Sequence, residues 1–125
     1  MEGYGMIYGK YGLCAIKAYE RMQQGIDGAV AWKEAADEIF GDNTSGAKKV
    51  CPKNTFLALY GLEKRNGKNA NYAYKALELM TNMNLDELKE MPPSYFWKQC
   101  LGMDKHYNGQ IDVIFALIDN KYLKF

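Results

Sequence analysis

Apolar residues recur along this chain at steps of three and four, the period of an α-helix. Ile7, Tyr11, Ala15, Ala18 and Met22 form one stripe that ends near Gly25. Asp27 is placed to cap a second helix, in which Val30, Ala31, Ala35 and Ile39, with Trp32 and Phe40, face inward and Gly41 closes the C-terminus. Beyond a loop over 42–51, Phe56, Leu57 and Tyr60 supply the buried face of a third helix. The segment RNGKNAN (65–71) has turn composition, and a fourth helix follows with Ala73, Ala76, Leu77 and Met80 in register.

Shorter elements fill the last third. Asn84, with Glu87 three positions on, matches a capping box and opens a short helix that stops before Pro92-Pro93. Ser94 is positioned to cap another short helix that carries Phe96, Trp97 and Cys100 and ends at Gly102. Asn108-Gly109 then precedes Ile111, Ile114, Phe115 and Ile118, the cleanest amphipathic stripe in the chain, and the tail KYLKF reads as extended. No stretch alternates for five residues, and no two β-branched runs flank a tight turn. The pattern predicts an all-α fold, with residues 1–125 forming a single compact bundle of six or seven short helices.

Composition narrows the classes. A chain of 125 residues with 48% apolar positions can bury one core without staples. Sixteen basic and fifteen acidic residues leave a net charge of +1, so attraction to nucleic acid must come from a local patch. The apolar runs fall far short of the roughly 18–20 residues that cross a bilayer, so no membrane partner is expected. With Glu2 and no apolar core, the N-terminus lacks secretory character. Cys14, Cys51 and Cys100 are odd in number and widely spaced, and His106 is the only histidine. No metal site and no cofactor are expected from that set, and three unpaired thiols point to a reducing, cytoplasmic setting.

Candidate chemistry concentrates in residues 41–61, GDNTSGAKKVCPKNTFLALYG. Cys51-Pro52 reads as a helix start, with proline at the first helical position. A thiol and three lysines (Lys48, Lys49 and Lys53) then lie beside the free N–H groups and positive end of a helix, a setting for an anion or a thiolate. A nucleophilic Cys51 would need a base, and His106 is the only imidazole. The plain alternative is a half-buried small residue that opens a helix. Gly41 and Gly46 have the spacing of the phosphate-binding GxxxxGK[ST] pattern, but Ala47 occupies the lysine position and the element upstream reads as a helix, which excludes that motif.

Between 48 and 68, Lys48, Lys49, Lys53, Lys64, Arg65 and Lys68 stand against one acid, Glu63. The second and third helices could mimic a helix-turn-helix that presents Lys53, Asn54 and Thr55, although their connection exceeds the usual three or four residues. A solvated basic face is the plain alternative. His106, Asn108, Gln110 and Asp112 gather around the start of the last helix. Asn108 reads as its cap and Asp112 suits the dipole, which leaves His106 and Gln110 as a polar pair without a structural assignment.

The segments KYGLCAIKA (10–18), AWKEAADEIFG…CPKNTFLAL (31–59) and NGQIDVIFAL (108–117) resemble a small uncharacterised bacterial family, a domain of unknown function with a CPKxxFLxL and NGQxDVxxAL pattern. The chain departs from it after the third helix, where GLEKRNGKN replaces a longer glycine-containing turn. The resemblance implies a stand-alone bacterial or mobile-element protein and transfers no activity, substrate or catalytic residue. The expectation is a small cytoplasmic, non-enzymatic protein that binds nucleic acid or a protein partner through its 44–68 surface, with Lys48, Lys49, Lys53 and Asn54 in contact. The alternative is a thiol-dependent enzyme or redox-active protein that uses Cys51, with His106 as its partner.

Overall fold

The computed structural model describes residues 3–62 and 67–123. Within them run α1 (Lys10–Gln23), α2 (Gly28–Phe40), α3 (Val50–Leu59), α4 (Lys68–Thr81), α5 (Leu85–Lys89), α6 (Pro93–Tyr95) and α7 (Gln110–Asp119). No strand occurs among the described residues, so the all-α architecture follows the helical periodicity. After α6 the chain widens into a π-helical turn over Phe96–Cys100, where the Leu101 N–H donates to Phe96 O at 3.0 Å, five residues back. No described helix is long and apolar enough to cross a membrane.

Helix α7 is the axis of the molecule. Its sequence predicts one apolar stripe, yet every residue from Gln110 to Asp119 except Asp112 is buried. A helix that is apolar nearly all round must be enclosed, and α1, α3, α4 and α6 all pack on it. Val113 and Leu117 face a core half built from Cys14, Ala15, Ala18, Trp32 and Phe56. Ile111, Ile114, Phe115 and Ile118 face the other half, with Met80, Leu88, Phe96 and Trp97.

Small residues let α1 come close to its neighbours. Cys14, Ala15 and Ala18 meet Ala31, Ala35 and Ala36 of α2 in one buried cluster, and ion pairs from Arg21 and Lys17 to Glu38 stitch the outer edge at 2.6 and 2.9 Å. Against α7, a Cβ at Gly12 would stand 2.9 Å from both Ala116 Cβ and Asp112 O, so this crossing requires glycine. The N-terminal segment is strapped along α7 by two of its carboxylates. Asp119 accepts from the Met6 N–H at 2.9 Å, and Asp112 from the Gly9 N–H at 2.6 Å.

Local capping signals hold in two places. Asp27 accepts from the Val30 N–H, and Asn84 from the Glu87 N–H at 2.8 Å. Elsewhere tertiary packing moves the boundaries. Ile7 precedes α1 and is exposed, while its neighbour Met6 is buried against α7. Val30 faces outward at 47% exposure, because α2 turns Ala31, Ala35 and Ala36 toward α1. Residues 68–71, expected in a turn, form the first turn of α4, and residues 65 and 66 of the same stretch lie outside the described residues. Ser94 does not cap its helix, which starts at Pro93 with Pro92 before it. Asn108 does not cap α7: Gly109 holds that position at φ 84°, a left-handed conformation that favours glycine. The expected extended tail turns back instead, with the Tyr122 N–H bonded to Leu117 O at 2.9 Å; Lys124 and Phe125 lie outside the described residues.

Candidate functional site

The 41–49 connection is built rather than loose. Gly41 ends α2 at φ 100°, Thr44 Oγ1 donates to Gly41 O at 3.0 Å and accepts from the Ala47 N–H, and the Tyr11 hydroxyl donates to Gly46 O at 3.0 Å. This lays Ala47 into the core and carries the chain to Lys49, the N-cap of α3. Helix α3 begins at Val50, so Cys51 and Pro52 occupy its second and third positions and not the cap and first position that the Cys-Pro pair suggests. Proline is still accommodated, because N–H groups of the first turn have no intrahelical acceptor. Among the described residues, no side chain caps this end of α3.

Two clefts flank the first turn of α3. The first, of about 400 Å³, lies between α2 and the 43–53 segment and is lined by Trp32, Lys33, Asp37, Asn43, Lys48 and Lys53, with Ala29, Val30 and Ala47 as its apolar part. Lys33 bonds Asp37 at 2.7 Å and the Asn43 N–H donates to the other carboxylate oxygen at 3.1 Å. These two bonds, with the nearby Lys33 and Lys48 charges, hold the Asp37 carboxyl below the usual carboxylate range. Trp32 is 1% exposed and packs against Phe56 with ring centroids 5.3 Å apart. Its indole N–H is buried and has no acceptor among the described residues.

The second cleft, of about 290 Å³, is lined by Val50, Cys51 and Asn54 of α3 and by Gly67, Lys68, Asn69 and Ala70 at the start of α4. Among the described residues, no side chain caps either helix start. Cys51 is half-buried here. Of the residues expected to bind, Lys48 and Lys53 thus line one cleft and Asn54 the other, while Lys49 is half-buried between them at the N-cap. Glu63, Lys64 and Arg65 lie outside the described residues.

His106 is on a different part of the surface. It lines a third cleft with Ser94, Trp97, Lys98, Asp104, Lys105 and Tyr107, and Cys51 is not among them. Gln110 is 2% exposed, accepts from the Asn108 N–H at 3.0 Å and donates to Asn69 Oδ1 at 3.3 Å, so it ties the 106–109 turn to α4. Asn108 turns its side-chain amide to His106 O at 3.2 Å. The Tyr107 hydroxyl donates to the Asp112 carboxylate and accepts from the Asp112 N–H, and burial together with that carboxylate raises its pKa. Of the expected polar site, two members are therefore engaged in structure. No group of His, Cys, Asp and Glu arranged to hold a metal ion occurs among the described residues.

Trp32, Asp37 and Asn43 were not singled out by motif or spacing. Trp32 reads from sequence as a core residue, which it is, and nothing local marks its N–H as unpaired. Asn43 carries the one readable sign, a GDN turn where asparagine tolerates the left-handed φ of 58° that it adopts. No curated protein and no solved structure matches the chain. With its helical fold and with the sequence matched over residues 8–124, the chain belongs to a family of unknown function, DUF6979.

Proposed function

We propose that this protein is a non-enzymatic binding module that engages a nucleic-acid backbone through the surface formed by residues 44–54 and the start of α4. The observation that carries this reading is the placement of Lys48, Lys53 and Lys68 around two clefts at the first turn of α3, with no ion pair to any of them among the described residues. Lysines beside uncapped helix N-termini suit phosphate oxygens, which accept hydrogen bonds and carry charge. A protein interface would instead be depleted of lysine at its centre. The three cysteines are unpaired, which supports a cytoplasmic setting.

The test is binding of fluorescent DNA and RNA oligonucleotides, single- and double-stranded, across a salt series. Affinity should fall steeply with salt, and replacing Lys48, Lys49 and Lys53 together by Ala should lower the slope by up to about three. The melting temperature should stay nearly constant, since such lysines add little to stability. Absence of binding at low salt, or binding indifferent to salt and to the triple change, refutes the reading.

A second reading, thiol chemistry at Cys51, is favoured by one observation: Cys51 shares its cleft with the starts of α3 and α4, neither capped by a described side chain. Among the described residues, the lining of that cleft offers no imidazole or carboxylate as a base. Iodoacetamide should label Cys51 first, because burial pushes the Cys14 thiol up to about 12 and also raises that of Cys100. Earlier labelling of Cys14 or Cys100 removes this reading.

A further inference from the structure

The fold contains two tryptophans and treats them differently. The Trp97 indole N–H donates to Lys105 O at 2.9 Å. The Trp32 N–H, equally buried, has no acceptor among the described residues, although such a group normally finds one. Trp32 forms part of the wall of the 400 Å³ cleft with its N–H closed to solvent, so an acceptor bound there completes it only as the wall yields around the ring.

The charges of the cleft point to the kind of acceptor. Three ammonium groups, on Lys33, Lys48 and Lys53, stand against one carboxylate, Asp37. Asp37 is held ionised by Lys33 and by the Asn43 N–H, with the Lys48 charge nearby, so the one carboxylate of the lining is matched by Lys33 and the three lysines leave the lining with a net charge of +2. A phosphate monoester near neutral pH carries about two negative charges and three strong acceptor oxygens. The apolar part of the wall is Ala29, Ala47 and Val30, whose 47% exposure leaves hydrophobic surface at the rim.

We propose that the cleft between α2 and the 43–53 segment binds a phosphate monoester carried on an apolar or aromatic body. Lys48 and Lys53 take the phosphate charge, the wall yields so that one phosphate oxygen accepts from the Trp32 indole N–H, and the body lies on Val30 and Ala29. This rests on the reading of the basic surface as anion-binding and names the anchoring group within it.

The two indole N–H signals of the 15N-labelled protein report the outcome. Trp32→Phe identifies the Trp32 signal, and if that variant fails to fold Trp97→Phe identifies it by elimination. Titrated phenyl phosphate should move the Trp32 signal saturably and leave the Trp97 signal in place. Inorganic phosphate, which lacks the body, should bind several-fold more weakly. Lys48→Ala and Lys53→Ala should each weaken phenyl phosphate roughly tenfold or more, the scale of a lost charge-assisted hydrogen bond. A stationary Trp32 signal, or a shift indifferent to both lysines, overturns the proposal. If oligonucleotides still bind with a stationary Trp32 signal, the cleft falls and the nucleic-acid reading stands; phenyl phosphate binding without oligonucleotide binding does the reverse. Competition by a 5′-phosphorylated but not a 5′-hydroxyl oligonucleotide supports the proposal with a nucleic-acid end as the source, and competition by neither supports it with a small ester as the source.

Discussion

Gly12→Ala sets a local preference against a tertiary contact. In the first turn of α1, alanine is favoured over glycine by up to about 1 kcal/mol, so an isolated α1 would gain from the change. In the folded protein the sign reverses. The new Cβ would stand 2.6 Å from Tyr8 Cδ2, 2.9 Å from Ala116 Cβ and 2.9 Å from Asp112 O. The Tyr8 ring can turn aside. The other two atoms belong to α7, which cannot yield without disturbing both halves of the core. Overpacking costs typically about 1–3 kcal/mol, and two immovable contacts place this site in the upper part of that range. After the propensity gain, the net loss is about 1–2 kcal/mol, or a melting temperature lower by roughly 3–10 °C. Urea unfolding followed by far-ultraviolet circular dichroism should show a lower midpoint at unchanged slope. Gln23→Ala, at the exposed end of α1, should move it by less than about 0.5 kcal/mol. A neutral or stabilising Gly12→Ala would show that α1 does not lie against α7 at this distance.

In the core, Ile114→Ala and Phe115→Ala should each cost about 2–5 kcal/mol, whereas Val30→Ala should cost under about 0.5 kcal/mol; comparable losses at positions 30 and 114 would mean the faces of α2 and α7 are misassigned. Asp119→Ala leaves the Met6 N–H without its acceptor, so amide exchange at Met6 should quicken and stability fall by about 1–3 kcal/mol; unchanged exchange would refute the strap. Hydrogen bonds from Arg21 and then Lys17 hold the Glu38 carboxyl below its ordinary 4.5. Stability from a lowered carboxyl is fully present above the unfolded value and is lost as pH falls through the folded one. Glu38→Gln should therefore flatten the acid side of the stability curve below about pH 4.5, and an unchanged acid slope would refute the ion-pair assignment.

Much of the fold is legible because helix signals are local. Three- and four-residue steps, Asp27 and Asn84 as caps and Gly41 as a terminator depend on neighbours within one or two turns, and each is realised. Clustering of the lysines at 48–53 is likewise visible in sequence. Their company is not. Trp32 and Asp37 reach the same cleft from α2, after a connection whose path is set by the Thr44 and Tyr11 hydrogen bonds.

What the chain determines alone is helix type, number and approximate extent, because backbone hydrogen bonding and side-chain period are properties of short stretches. What tertiary structure decides is which face is inward and which polar groups are left over. Periodicity marks α7 as apolar, but only the convergence of α1, α3, α4 and α6 makes it the enclosed axis. The same non-local packing turns Val30 outward, places Gln110 between the 106–109 turn and Asn69, and sets Cys51 and His106 in separate clefts. An unpaired indole N–H is likewise a fact about every acceptor around it. No sequence position records that, since the acceptors come from residues far apart along the chain.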